Sequence, residues 1–134
     1  MIVETRNLNK RYGHVQVLRD VGLRVPEGSA FALVGTNGAG KTSTMRILVN
    51  ILQPTSGEAI VLGKDSRALT PRDLTQIGYV SENQVLPERL NVGQYFDYLR
   101  AIYPNWDRGL EKSLRAKLDL PPDRCLSTSP TACE

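Results

Sequence analysis

Three adjoining segments predict an α/β fold. Residues 29–34 (Ser-Ala-Phe-Ala-Leu-Val) are a short apolar run of the buried-strand type. Residues 35–42 read Gly-Thr-Asn-Gly-Ala-Gly-Lys-Thr, a glycine-rich loop closed by Lys41 and Thr42. Residues 42–52 then put Met45, Leu48, Val49 and Leu52 on one face of a helix. Strand, loop and helix in this order are the context that makes G-x-x-x-x-G-K-[ST] a phosphate-binding loop, the Walker A motif.

The spacing has a local physical reason. Gly35 and Gly40 frame four residues, with Gly38 inside them. A loop wrapped around a phosphate must turn successive backbone N–H groups inward, here those of Gly35, Asn37, Gly38, Ala39 and Gly40. That requires backbone angles glycine adopts cheaply. The positive end of the following helix adds to the anion site. Lys41 is placed to reach the β- and γ-phosphates, Thr42 to ligate Mg²⁺, and Ser43 to hydrogen-bond near the α-phosphate. The expected ligand is a nucleoside triphosphate with Mg²⁺.

The remaining elements follow in chain order. Residues 2–8 alternate weakly, as an edge strand does, and residues 15–18 and 21–25 are two further strand candidates closed by Pro26-Glu27-Gly28. After the loop and its helix, Pro54-Thr55-Ser56-Gly57 breaks the chain. Residues 58–62 form another strand, ended by Gly63. Residues 71–76 suit a helical turn, and residues 77–80 a short buried strand. From Val92 the period becomes helical through Tyr95, Phe96, Leu99 and Ile102, ended by Pro104. Asp107 caps a second helix over 108–118, with Leu110, Leu114 and Leu118 on its apolar face, and Pro121-Pro122 stops it.

Composition narrows the class. A length of 134 residues allows one small domain, and 40% hydrophobic with 23% charged residues is ordinary for a globular chain. The net charge of +3 comes without any basic cluster, which argues against a nucleic-acid partner. No apolar run is long enough to span a membrane, and the N-terminus lacks a signal-peptide core. Cys125 and Cys133 allow a disulfide or half a metal site on paper. The single histidine, His14, is far away in sequence, so free thiols are expected.

Taken in order, these residues resemble the N-terminal part of the ATP-binding subunit of an ABC transporter. The resemblance is carried by Asn7-Leu8-Asn9-Lys10-Arg11-Tyr12-Gly13, Val17-Leu18-Arg19-Asp20-Val21, Pro26-Glu27-Gly28, the phosphate loop, Pro54-Thr55-Ser56-Gly57-Glu58 and Leu62-Gly63. It implies an incomplete P-loop NTPase domain of ABC type over 1–126. That domain has N-terminal antiparallel strands, a phosphate-loop strand and helix, and the start of a helical subdomain. Tyr12 falls on the aromatic position that stacks on adenine, and Val17 beside the base. Residues 77–84 (Ile-Gly-Tyr-Val-Ser-Glu-Asn-Gln) resemble the strand into the family's glutamine loop, which contacts Mg²⁺ or the attacking water. The position after Ser81 holds Glu82, with the glutamine two residues later at Gln84; either side chain is a candidate for that role.

The resemblance further implies ATP and Mg²⁺ as ligands, a second ATP-binding subunit and transmembrane subunits as partners, and a cytoplasmic place at the membrane. It also implies a serine-glycine signature motif, an apolar strand ending in Asp-Glu, and a later histidine; none follows within these residues. After Leu126 the chain reads Ser-Thr-Ser-Pro-Thr-Ala-Cys-Glu, so 127–134 are expected to be an aberrant, disordered tail of a truncated or frameshifted chain. Such a chain is expected to bind ATP without hydrolysing it efficiently. Two other classes use the same loop: a small nucleotide kinase or GTPase, and a non-enzymatic nucleotide-binding regulator. A guanine-reading Asn-Lys-x-Asp is not present, since Asn9-Lys10 lacks the rest.

Overall fold

The N-terminal hairpin pairs β1 (Val3–Tyr12) with β2 (Val15–Val25), antiparallel from Val3↔Val25 to Tyr12↔Val15, in a computed structural model that describes residues 1–127. The tail expected at 127–134 lies outside the described residues except for Ser127, and Cys133 lies outside them as well. The hairpin turn is Gly13-His14, with Gly13 at φ 56° in the first central position, where a two-residue turn demands glycine. Residues 15–18 and 21–25, expected as two strands, are one. Asp20 at φ 45° forms an irregularity that bends β2 without ending its pairing. Asn9 braces this place: its Oδ1 accepts from the Asp20 N–H at 3.1 Å and its Nδ2 donates to the Asn7 carbonyl at 2.7 Å. Nearby, the buried Thr5 hydroxyl donates to the Val21 carbonyl and accepts from the Leu23 N–H, both at 2.9 Å. It fills the rungs that the shifted ladder leaves open.

The sheet continues with β3 (Ser56–Val61), antiparallel to β1, and β4 (Lys64–Asp65), in the order β2-β1-β3-β4. Leu62 and Gly63 join the last two strands with φ 54° and 76°, both left-handed as in a type I′ turn. One face of this sheet receives α1 (Lys41–Leu48), and Leu8, Leu18, Ile47 and Ala59 form the core between them.

The face of α1 is the expected one only in part: Leu48 and Leu52 pack against this core, but Met45 does not belong to it. Thr44 and Ile47 are buried while Met45 is 46% exposed. Hydropathy counts Thr44 as polar, but its hydroxyl donates to the Gly40 carbonyl at 3.0 Å, so it enters the core with its hydrogen bond made.

Two expected strands are also absent as ladders. Residues 29–34 and 77–80 carry no regular structure, and Val34 and Val80 are 89% and 85% exposed. A buried parallel strand exists only with hydrogen-bonded neighbours. Among the described residues no strand pairs with either run.

A 3-10 turn (Ser66–Ala68) and α2 (Pro71–Leu74), within the segment expected as a helical turn, follow β4. Thr70 and Asp73 form a capping box, and Lys64 Nζ donates to Asp73 at 2.7 Å. These bonds, with Lys64 first, hold the Asp73 carboxyl well below the usual carboxylate range, and Arg67 lowers Asp65 to about 2. A depressed folded pKa contributes stability that is present above the unfolded value, roughly pH 4, and lost as the pH falls below it. Asp73→Asn should therefore lower the melting temperature at neutral pH and flatten its decline between about pH 5 and pH 2. Thermal melts across that range decide the matter; parallel curves for the two proteins would contradict it.

The chain forms two units, Met1–Ile77 and Gly78–Glu134. The second holds α3 (Val92–Ile102) and α4 (Arg108–Lys117), which start where the sequence placed them. Asn91 and Gln94 make a capping box on α3, and Asp107 Oδ1 accepts from the Leu110 N–H at 2.9 Å. The apolar face expected for α4 is not its buried side. Leu110, Leu114 and Leu118 are exposed, and Glu111 is turned inward. Its carboxylate receives Trp106 Nε1 at 2.7 Å, Arg100 Nη1 at 3.0 Å and Arg115 Nη1 at 3.4 Å, so the buried charge is paired and its lone pairs are filled. Phe96 meets the Trp106 ring edge-on at 5.9 Å. After α4 the chain returns to the start of α3, with the Leu126 N–H donating to the Leu90 carbonyl and Asn91 bridging Cys125. Cys125 is disulfide-bonded rather than a free thiol. The contrary expectation rested on an unstructured tail, with no second cysteine pair and no histidine nearby in sequence.

Candidate functional site

The phosphate loop lies between the end of β2 and α1, and its key position is Gly40. This buried residue is the N-cap of α1 at φ 86°. A Cβ there would stand 2.9 Å from the Val17 carbonyl oxygen, 3.3 Å from Val17 Cγ1, and closer still to Leu18 Cδ2. Glycine is required twice over, for the left-handed angle and for the close approach to β2. Gly38, at φ 83° in open space, needs only the angle. Gly35 and Ala39 close the loop on itself: the Ala39 N–H donates to the Thr36 carbonyl at 3.2 Å. A Cβ on Gly35 would meet that of Ala39 at 3.2 Å.

Helix α1 begins with no side-chain cap and no acidic residue in its first turn. Its first N–H groups therefore keep their positive potential for an anion. Lys41 arches back over the loop, Nζ donating to the carbonyls of Gly35 at 2.7 Å and Thr36 at 2.8 Å. That geometry spends two of three ammonium donors on the loop itself. Thr42 is exposed beside it.

The base side of the site is built from the hairpin. Tyr12, at the end of β1 and 46% exposed, has its hydroxyl 3.5 Å from Ser43 Oγ in the first turn of α1. Val17 is half-buried on β2 against Gly40. Tyr12, Val17, the loop residues and Lys41, Thr42 and Ser43 thus all belong to the first unit.

Glu82 and Gln84 belong to the second unit. There both are exposed, around a turn in which Gln84 Oε1 accepts from the Ser81 N–H at 3.4 Å. Among the described residues no group of three or more His, Cys, Asp or Glu side chains is gathered to hold a metal ion.

Sequence reasoning missed Lys10. Its Nζ lies 5.0 Å from the centroid of the Tyr12 ring and donates to the Gln53 carbonyl at 2.7 Å. The available signal was the strand period, which puts residues two apart on one face.

Comparison with known proteins gives one consistent family. The family model described as ABC transporter matches residues 18–127. The ribose import ATP-binding protein RbsA of Pseudomonas putida is 32% identical over 121 residues, covering 87% of this chain and 24% of that protein. The probable multidrug ABC transporter ATP-binding protein YbhF of Escherichia coli is 32% identical over 102 residues, covering 76% of this chain and 18% of that one. A solved ATP-binding subunit of an ABC transporter superposes with a TM-score of 0.80 at 25% identity, over 93% of this chain and 54% of the other. The chain therefore spans a quarter or less of the length of these two relatives, and about half of that solved chain.

Proposed function

Since this chain belongs to the ABC transporter family, we propose that it binds Mg-ATP on the loop at 35–42 as part of an ATP-binding subunit. The observation that carries the proposal is the conjunction at α1: a glycine loop whose Gly40 lies too close to β2 for a Cβ, a lysine over it, and an exposed tyrosine beside the same helix turn. The phosphates lie against the loop and helix N–H groups, Lys41 offsets their charge, and Tyr12 stacks on adenine with Val17 beside it. When bound, Mg²⁺ would supply positive charge that offsets the negative charge of the phosphates. The residues present suit that ion, because Mg²⁺ in phosphate sites takes few protein ligands and many phosphate and water oxygens. Thr42 would supply a hydroxyl for it.

In a whole transporter, binding and hydrolysis of ATP by this part would drive transport with a second ATP-binding subunit and transmembrane subunits, on the cytoplasmic side of the membrane. The described residues include no helix long and apolar enough to cross a membrane.

Nucleotide titration tests the reading. Tyr12→Ala should weaken ATP binding by roughly 1–2 kcal/mol and leave inorganic triphosphate unaffected, while Tyr12→Trp is tolerated. Equal losses for both ligands would remove Tyr12 from the base site.

The 134 residues on their own are expected to bind ATP and release phosphate more slowly than about 1 s⁻¹, the lower end for phosphoryl-transfer enzymes. The first unit cradles phosphate but contributes no carboxylate to the loop that would orient the attacking water. A steady-state phosphate assay at or above that rate, abolished by Lys41→Ala, would overturn this expectation.

A further inference from the structure

We propose that Lys10 is a positioning residue for the adenine platform: it holds one face of the Tyr12 ring and fixes that ring at a set distance from the phosphate loop. The inference rests on the nucleotide-site reading above and deepens it.

Three contacts carry it. The Lys10 ammonium lies over the Tyr12 ring at 5.0 Å from the centroid, within reach of a cation–π attraction. The same ammonium donates to the Gln53 carbonyl at 2.7 Å, just beyond α1. The Tyr12 hydroxyl stands 3.5 Å from Ser43 Oγ, in the first turn of α1. The ring is thereby referenced to the first turn of α1 and, through Lys10, to the segment that follows that helix. Covalent structure fixes the span between a purine and its phosphates. A platform already held at that span loses no ring freedom on binding, which is how preorganisation raises affinity.

One face of the ring takes the cation, and the ring's remaining exposure leaves the other for the base. The two ammonium groups hold different places: that of Lys10 lies on Gln53 and over the ring, and that of Lys41 lies on the phosphate loop. Lys10 thus acts through Tyr12 and should matter only for ligands that carry a base.

The experiment uses the 134-residue chain and three ligands: ATP, GTP and inorganic triphosphate. Lys10→Met keeps the aliphatic stem and removes the charge, and Lys10→Arg keeps a cation suited to stacking on an aromatic face. Lys10→Met should weaken ATP and GTP by about two- to fivefold and leave triphosphate unchanged, and Lys10→Arg should restore most of the loss. Binding can be read by titration at matched salt, with thermal melts to show that the fold is retained.

Equal weakening of triphosphate would mean that Lys10 meets the phosphates directly, which overturns the proposal. So would wild-type ATP affinity in Lys10→Met while Tyr12→Ala still loses it, which spares the nucleotide-site reading. If Tyr12→Ala also leaves ATP affinity unchanged, the platform reading itself fails and Lys10 falls with it.

Discussion

Lys41→Ala is expected to remove most Mg-ATP binding, a loss of about 2–3 kcal/mol or roughly thirty- to a hundred-and-fiftyfold in affinity. Two consequences of the change add. The variant loses the charge that faces the phosphates, and it loses the two bonds from Nζ to the Gly35 and Thr36 carbonyls that brace the loop. Hydrogen bonds from a charged group are worth more than neutral ones, and the phosphates have no substitute cation on the loop. Lys41→Arg should rescue little, because a planar guanidinium has a different shape and reach from a compact ammonium. Titration with a fluorescent ATP analogue, beside circular dichroism to confirm the fold, measures it. Unchanged affinity in Lys41→Ala would take this residue out of the site.

Gly57→Ala should be the most damaging substitution to stability, on the order of 3–4 kcal/mol. Gly57 sits in β3 at φ 84°. A Cβ there would stand 2.6 Å from the Asn7 carbonyl carbon, 2.7 Å from the Arg6 oxygen, and closer still to the Asn7 oxygen. Those are backbone atoms of β1, the strand paired on both sides, so relief requires the sheet itself to part. Such a loss is a large share of the stability of a small domain. Gly63 is the matched control: it has φ 76° but nothing within 4 Å, so Gly63→Ala carries only the conformational cost of about 1 kcal/mol. Urea unfolding of both variants separates steric from conformational effects. Equal destabilisation would show that the close approach to Asn7 is unimportant.

The features legible in the sequence were those settled by neighbouring residues. The phosphate loop, the cap at Asp107 and the strand end before Gly63 each depend on a few consecutive side chains or on glycine geometry. Which face a helix buries depends on partners distant in sequence. Thr44 enters the core because a carbonyl four residues earlier takes its proton, and Glu111 does so because Arg100, eleven residues back, reaches it. Hydropathy alone ranks Met45 and the α4 leucines above both. The apolar runs at 29–34 and 77–80 have strand composition, yet a ladder is a property of two segments and not of one. Lys10 was invisible for a related reason. Its partners, a ring two residues on and a carbonyl forty-three residues on, meet only once β1 lies beside the end of α1.

Trp106 has an optical consequence. It is the only tryptophan in the chain, and it is packed against Phe96 and hydrogen-bonded to Glu111 in the second unit. The first unit contains no tryptophan and a single tyrosine, Tyr12. Excitation at the red edge of protein absorption therefore reports on the α3–α4 pair, to which Tyr12 in Met1–Ile77 does not contribute. Melting of the second unit can therefore be followed through Trp106 without attaching a label.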